Sequence, residues 1–190
     1  MYYTYHTDAF ILGSAPYGEA NKFFFLYTRE LGFITASAQS VRAIQSKLRF
    51  NLQDFSSVSV SLVRGKEMWR ITNVGFGVSF SQKGEAFQIW VRLCSLLRRL
   101  LHGEERNDSL FEIVSGVFSY LKSASISELH DAEAIAVLRI LKSLGYMGSE
   151  DFLSPFMASS DFTPELLARM KTFRQTALSK INQSLRETHL

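Results

Sequence analysis

The side chains best suited to chemistry lie in one segment, residues 40–49, which carries three cations and no carboxylate. The cations are Arg42, Lys47 and Arg49, and serine hydroxyls and a glutamine amide are interleaved with them. Cations neutralise phosphates and release counterions, while uncharged polar groups add further phosphate contacts. The segment therefore predicts a loop that follows a nucleic-acid backbone, although a solvated loop that is basic by chance fits the same pattern.

Aromatic side chains near cations are the second feature that favours a nucleic acid. The aromatic residues are Tyr17, Phe25, Tyr27 and Trp69, and the nearby basic residues are Lys22, Arg29, Lys66 and Arg70. Exposed rings can stack on bases, with about 1–3 kcal/mol per base. Strand alternation points roughly half of such rings into a core. Core packing is thus the better interpretation for any single ring, and Tyr17, in a predicted turn, is the best exposed candidate.

No pattern typical of a catalytic site occurs in the sequence. It contains no phosphate-cradling glycine loop, no paired-histidine metal motif and no nucleophile elbow. The four histidines are scattered, and the single cysteine, Cys94, excludes an internal disulfide and a zinc site built from several thiolates. We expect Cys94 to be a buried core residue, and we expect no enzyme activity, no cofactor and no metal.

The elements that position the basic segment are predicted to be β-strands over residues 1–80. Residues 32–38 and 57–62 alternate with period two, and residues 23–28 and 68–74 are rich in strand-favouring types. Turn signals at residues 16–18, 30–32 and 64–66 separate them. Five or so short strands at this spacing indicate a small closed barrel or a sandwich, with the basic segment between the third and fourth strands.

Residues 81–190 are predicted to be helical, so the fold class is α+β with a domain boundary near residues 79–84. The helices are expected over 85–102, from 108 or 109 to 122, from 127 or 131 to 144, and from 164 almost to 190. Gly145 is expected to end the third helix, and Thr163 with Pro164 to begin the fourth. Residues 145–162 are expected to form a loop or irregular turns.

Composition bounds the class of protein. Hydrophobic residues make up 46% and aromatic residues 13%, which excludes a disordered chain. The net charge of +3 permits a polyanionic partner without requiring one. We find no signal-peptide pattern and no apolar run long enough to span a membrane, so we expect a cytoplasmic, nucleoid-associated protein without a membrane partner.

Four short segments, in matching order and spacing, resemble the RecO family of DNA-repair recombination mediators. The segments are residues 17–22, 27–32, 46–53 and 138–146. The resemblance implies an OB-fold barrel at residues 1–80, followed by an all-α domain at residues 81–190. It also implies binding to single- and double-stranded DNA and annealing of complementary strands. It further implies that the protein has RecR and single-strand binding protein as partners, and that together they load RecA onto single strands coated with single-strand binding protein.

The resemblance also implies positions for the contacts. Family DNA contacts are basic residues of the barrel and its loops, here Lys22, Arg29, Arg42, Lys47 and Arg49. The aromatic and basic pattern adds Tyr17, Lys66 and Arg70. The acidic, aromatic-ended tail of single-strand binding protein is expected on the helical domain, where charge alone suggests Arg92, Arg98, Arg99, Arg139 and Lys142.

Two departures from the family pattern narrow the prediction. Many RecO proteins carry a four-cysteine zinc module after the helix that ends here at residue 146, whereas residues 151–157 contain no cysteine. We expect apolar packing of Phe152, Leu153, Phe156 and Met157 instead. The region after Thr163 is expected to be a reduced form of the family's ending, which leaves the RecR contact open.

Two other functions remain possible from the residues alone. A protein-interaction adaptor would use the helical domain and keep the barrel as a scaffold. An RNA-binding OB-fold protein would use the same stacking and phosphate contacts, because these do not distinguish ribose from deoxyribose.

Overall fold

The structure, a computed structural model, describes residues 3–41, 48–66, 68–80, 84–148 and 152–187, and at position 49 the backbone alone. Arg42, Lys47 and the side chain of Arg49 therefore lie outside the described residues.

Five strands and six α-helices follow one another along the described part of the chain. The strands are β1 (Thr4–Tyr17), β2 (Asn21–Thr28), β3 (Gly32–Ala38), β4 (Ser57–Arg64) and β5 (Trp69–Val74). The helices are α1 (Leu48–Asn51), α2 (Glu85–Leu100), α3 (Asp108–Ser123), α4 (Leu129–Ser143), α5 (Ser154–Met157) and α6 (Pro164–Glu187), with a 3₁₀ turn at Ile126–Glu128.

The strands close into a barrel in the order β1-β2-β3-β5-β4, which confirms the predicted OB-type barrel followed by helices. All neighbouring strands are antiparallel except β3 and β5, which run parallel. Period-two alternation gives β4 one apolar face, and its residues Val58, Val60 and Leu62 all lie in the barrel core. Leu52, just after α1, is buried in the same core.

The first strand differs most from the sequence prediction, which named four strands clearly but did not delimit β1. This strand pairs with β4 through its first half and with β2 through its second half. A register shift between Ile11 and Ser14 allows the change of partner. Pairing continues to Tyr17, opposite Asn21, so Tyr17 ends a strand and the turn begins at Gly18.

The chain divides into two compact units. The barrel unit comprises Met1–Ser81 and Cys94–Asn107, and the helical unit comprises Gln82–Leu93 and Asp108–Leu190. Cys94 is fully buried, as predicted, and burial raises the pKa of its thiol. Residues 94–107 group with the strands. The predicted division into two domains near residue 80 therefore stays a prediction.

Residues 104–107 line the outside of the barrel. The hydroxyl of Tyr27 donates a hydrogen bond to the carbonyl oxygen of Asn107 at 3.2 Å, and Arg106 pairs with Glu30 at 2.6 Å. At Gly32 the backbone of Glu105 approaches so closely that a Cβ there would lie 2.1 Å from its carbonyl oxygen. A glycine is therefore required at the start of β3.

The helical unit is held by the apolar stripes of its helices. Gly145, with φ of +78°, follows the end of α4, and the Thr163 hydroxyl accepts a hydrogen bond from the Leu166 amide at the start of α6. The stretch predicted to be irregular contains the short helix α5. Leu153 and Phe156 are fully buried there, while Phe152 and Met157 are half-buried.

The described part of the chain offers neither a membrane span nor a metal cluster. No helix in it is both long and apolar enough to cross a membrane. Among the same residues, no group of three or more His, Cys, Asp or Glu side chains could hold a metal ion.

Candidate nucleic-acid interface

One row of side chains crosses the outer surface of the barrel over three strands. Strand pairing places Phe23 opposite Ser37, and Ser37 opposite Arg70. Their chain neighbours Phe24, Ala36 and Trp69 face the core, so alternation points the row outward. Adjacent strands lie about 4.8 Å apart, so the backbones of Phe23 and Arg70 are about 10 Å apart. An aromatic ring, a hydroxyl and a cation thus share one face.

The hairpin between β4 and β5 adds cations beside this row. Lys66 and Arg70 are exposed, and with Ser37 they line a depression of about 400 Å³. Arg64 lines it too, stacking over the Trp69 ring at 4.9 Å and pairing with Glu104. The structure therefore brings Lys66 and Arg70 together, as a site for phosphates requires.

A second predicted pair lies at the other edge of the row. Tyr17 is 49% exposed, and its ring centroid lies 4.1 Å from that of Phe23. Lys22 donates a hydrogen bond from Nζ to the Ser14 hydroxyl at 3.3 Å, and this hydroxyl donates to the Asp54 carboxylate at 3.0 Å. Beside it, the Asn21 side chain accepts a hydrogen bond from the Ser40 amide at 2.9 Å. Ser40, the first residue of the basic segment, is therefore anchored next to Lys22.

We define the candidate interface as this set of barrel residues. It consists of Tyr17, Lys22, Phe23, Ser37, Lys66 and Arg70. Phe23 and Ser37 were missed in the sequence because their role depends on the pairing of β3 with β5, which are not consecutive along the chain. The sequence did offer one signal, because strand alternation places Phe23 and Ser37 on the outward face of their strands.

Arg29 lies apart from the candidate interface. It follows the last residue of β2, whereas Lys22 lies near the first, and the seven residue steps between them span about 23 Å of strand. It lines another depression, of about 440 Å³, together with Asp8 and Glu30. Because of this separation, the structure does not unite Arg29 with the other predicted contacts.

Three of the four aromatic residues singled out in the sequence serve the barrel itself. Tyr27 and Trp69 are buried, and the Trp69 indole donates a hydrogen bond to Glu104 at 3.1 Å. The ring of Phe25 lies under the guanidinium of Arg98 at 4.0 Å. Tyr17 alone among the four is classed as exposed. The other three rings therefore pack within the barrel unit and are not free to stack on bases, in line with the prediction from strand alternation.

The predicted partner-binding cations are divided between the units: Arg98 and Arg99 belong to the barrel unit, and Arg92, Arg139 and Lys142 belong to the helical unit. Arg92 is engaged with Glu133 through two hydrogen bonds of 2.7 and 2.8 Å, which holds the pKa of its guanidinium above the ordinary value. Arg98 covers Phe25, Arg99 is exposed, and Lys142 is half-buried.

Arg139 requires a correction. Its side chain is 2% exposed and donates hydrogen bonds to the carbonyl oxygens of Phe156, Ser160 and Asp161 at 2.7–2.9 Å. A cation held in this way is not available to a partner. The sequence did contain a signal, because Arg139 follows Ile135 and Ala136 at helical spacing on the buried stripe of α4.

Comparison with known proteins agrees with this architecture. Residues 1–77 match the family described as Recombination protein O N terminal. The DNA repair protein RecO of Dehalococcoides mccartyi is 30% identical over 128 residues, covering 66% of this chain and 51% of that protein. The DNA repair protein RecO of Clostridium novyi is 28% identical over 148 residues, covering 75% of this chain and 56% of that protein.

The DNA repair protein RecO of Desulfitobacterium hafniense is 36% identical over a shorter stretch of 76 residues, or 40% of this chain and 28% of that protein. The chain spans about half the length of the first two relatives. The resemblance seen in the sequence is therefore confirmed: residues 1–77 match the N-terminal region of the RecO family, and the chain is similar to DNA repair proteins named RecO.

Proposed function

We propose that this protein is a DNA-binding recombination mediator without catalytic turnover. It anneals complementary strands and, with RecR, helps to load RecA onto single strands coated with single-strand binding protein, in recombinational repair. The family match of residues 1–77 and the name that the relatives share, DNA repair protein RecO, support a role in repair.

The observation that carries the proposal is the candidate interface. Lys66 and Arg70 are exposed on the β4–β5 hairpin and share a face of the barrel with Phe23 and Ser37. The OB-fold binds oligonucleotides on the face of its second and third strands and on the loops that flank this face. The cations supply salt-dependent attraction to phosphates, and the exposed ring of Tyr17 supplies a stacking surface.

The basic segment extends the same surface in sequence. Arg42, Lys47 and Arg49 follow Ser40, whose amide is anchored to Asn21 beside Lys22. A cationic path that binds either of two strands through their phosphates leaves the base edges free to pair. This property supports annealing, because the protein lowers the repulsion between strands without masking their sequence.

The decisive experiment measures annealing of complementary oligonucleotides coated with single-strand binding protein, with and without this protein. We expect acceleration, together with DNA binding that weakens as salt rises. Replacing Arg42, Lys47 and Arg49 by alanine should weaken binding and flatten its salt dependence. The matched control is the charge-neutralising pair Lys171→Ala and Arg186→Ala, both exposed on α6. No acceleration, with no salt-dependent binding, would refute the proposal.

A groove of the helical unit supports the proposed contact with the tail of single-strand binding protein. It lies between α4 and α6, has a volume of about 770 Å³, and is lined by Val137, Leu178 and Ile181. Arg174, His130 and Glu133 line it as well, and Arg174 pairs with Asp131 at 3.4 Å. The apolar wall suits the aromatic end of such a tail, and Arg174 is the cation of the groove that an acidic residue of the tail would contact.

The same groove favours the adaptor as the second candidate function. An adaptor would bind its partner through the groove and bind DNA negligibly at physiological salt. Fluorescence anisotropy with a labelled single-stranded oligonucleotide separates the two functions. An RNA-binding role is tested in the same titration by competition between RNA and DNA of one sequence.

A further inference from the structure

Two phenylalanines on the barrel unit are exposed although each is held in an ordered backbone. Phe50 is 72% exposed and Phe76 is 90% exposed, and the exposed Val78 follows. Their backbones meet where the carbonyl oxygen of Asn51 lies 3.4 Å from the Cβ position of Gly77. We call Phe50, Phe76 and Val78 the aromatic patch. None of its members belongs to the candidate interface.

The exposure of Phe50 follows from the geometry of α1. Leu48 packs against the barrel core and Leu52, four residues later, is buried in it. Positions four residues apart share one face of a helix, so the residue midway between them faces away. Phe50 therefore points outward because the two leucines fix the orientation of this turn.

The exposure of Phe76 is equally well determined. The Gly75 amide donates a hydrogen bond to the Ser59 carbonyl oxygen at 2.8 Å, and two backbone hydrogen bonds join Val78 to Ser57 at 2.8 and 2.9 Å. A Cβ on Gly77 would approach the Val58 side chain to 2.9 Å. The chain on both sides of Phe76 is thus fastened closely to β4, while the ring itself projects outward.

The surroundings in sequence supply positive charge. Residues 39–53 contain Arg42, Lys47 and Arg49 and no acidic residue, and Phe50 directly follows Arg49. The described ends of this segment are Ser40, anchored beside Lys22, and Leu48, packed against the barrel core. In sequence, the basic segment thus runs from a residue anchored beside the candidate interface to the residue before Phe50.

We propose that the aromatic patch is a stacking platform for unpaired bases of single-stranded DNA, with Phe50 and Phe76 as the stacking rings. The inference rests on the proposed function, which requires DNA on the barrel, and adds a site for bases to a surface that otherwise contacts phosphates. Aromatic rings and cations together bind single strands without sequence preference, and here the cations are close to Phe50 in sequence.

A second copy of the chain is a poorer occupant. Two exposed phenylalanine rings offer on the order of 300–400 Å² of apolar surface. A stable interface needs about 800 Å² from each partner. The patch therefore matches one or two nucleobases better than it matches a protein surface.

The test compares the full chain with a double variant, Phe50→Ala with Phe76→Ala, in binding a single-stranded oligonucleotide that contains 2-aminopurine. Stacking quenches the fluorescence of this base, so binding to the unaltered protein should quench it and binding to the variant should not. We expect affinity to fall by at least about fivefold per ring, the equivalent of about 1 kcal/mol for each stacked base. The slope of log affinity against log salt should stay unchanged, because no cation is removed.

Three further variants make the result specific. Phe50→Leu with Phe76→Leu keeps apolar area but no ring, and should weaken binding as the alanines do. Phe50→Trp with Phe76→Tyr keeps both rings and should preserve quenching, which guards against a folding defect in the alanine variant. Ile126→Ala, at an aliphatic side chain 77% exposed in the helical unit, should change nothing.

The outcomes separate this inference from the proposed function. Equal affinity and quenching in the alanine variant, with salt-dependent binding retained, would overturn the stacking platform and leave the proposed function intact. Retained binding in the leucine variant would show an apolar contact instead of stacking, and would also overturn it. A dimer in sedimentation that the alanine variant dissociates would assign the patch to a second copy.

Discussion

Two basic sites, Lys66 with Arg70 in the barrel unit and Arg139 in the helical unit, have opposite environments. On the barrel, Lys66 and Arg70 are exposed on a hairpin and line a depression with Ser37. In the helical unit, Arg139 is buried and its guanidinium is occupied by three carbonyl oxygens. The same charge is thus open to a ligand in one place and committed to the chain itself in the other.

The environment of Arg139 explains why a buried cation is tolerated. Its fork of donors reaches Phe156, Ser160 and Asp161, and the ring of Phe162 lies 4.6 Å from the guanidinium carbon. Burial lowers the pKa of Arg139 to about 10, opposed by the charge of Asp161, and the group stays charged at neutral pH. Arg139 therefore organises residues 156–162.

The largest effect we expect comes from Arg139→Ala. Three carbonyl oxygens would lose their donors, so the helical unit should lose about 3–5 kcal/mol of unfolding free energy. Denaturant unfolding followed by circular dichroism measures it. Arg139→Lys should recover little, since a lysine cannot reproduce the planar fork. Arg186→Ala, at an exposed arginine of the helical unit, is the matched control and should stay within about 0.5 kcal/mol. A mild effect at Arg139 would end the contrast between Arg139 and the exposed cations of the barrel.

The next largest effects are expected from one glycine substitution in each unit. Gly32→Ala should cost the barrel unit about 3 kcal/mol, since φ is +68° and the new Cβ would meet the Glu105 carbonyl oxygen at 2.1 Å. Gly145→Ala, at φ +78° with nothing within 4 Å, should cost about 1 kcal/mol from backbone strain alone. Thermal unfolding of both variants checks the difference, and equal losses would show that residues 104–107 do not restrict the barrel.

The exposed cations of the barrel should affect ligand binding and leave stability unchanged. Lys66→Ala with Arg70→Ala should weaken single-stranded DNA binding about tenfold, and the salt slope should fall by about 0.7 for each phosphate that the variant no longer neutralises. Anisotropy titrations between low and moderate salt measure both quantities. Arg29→Ala, beside Asp8 and Glu30, should change the slope little. A larger effect at Arg29 than at the hairpin would move the interface to the other depression.

Sequence patterns predicted the barrel and the helices well because those patterns are local. Alternation at residues 57–62 and the cap at Thr163 depend on a few neighbouring residues, and both elements formed as expected. The grouping of Phe23 with Arg70 depends on the parallel pairing of β3 with β5, which no local pattern encodes. Arg139 was misassigned because charge was weighed without its position on the buried stripe of α4.

The last prediction concerns the pH dependence of stability near Arg139. The Tyr120 ring stacks on Phe162 at 4.5 Å, and burial, with the nearby Glu128 carboxylate, raises the pKa of Tyr120 to about 12. Tyrosine in an unfolded chain has a pKa of about 10, so the folded state holds this proton more tightly. The stabilisation is complete below pH about 10 and is lost as the pH rises towards about 12. Urea unfolding at both ends of this range should show a larger loss for the unaltered protein than for Tyr120→Phe, which keeps the stacked ring. Equal losses would mean that Tyr120 titrates as in solvent and that the packing around residues 156–162 is looser than the contacts of Arg139 require.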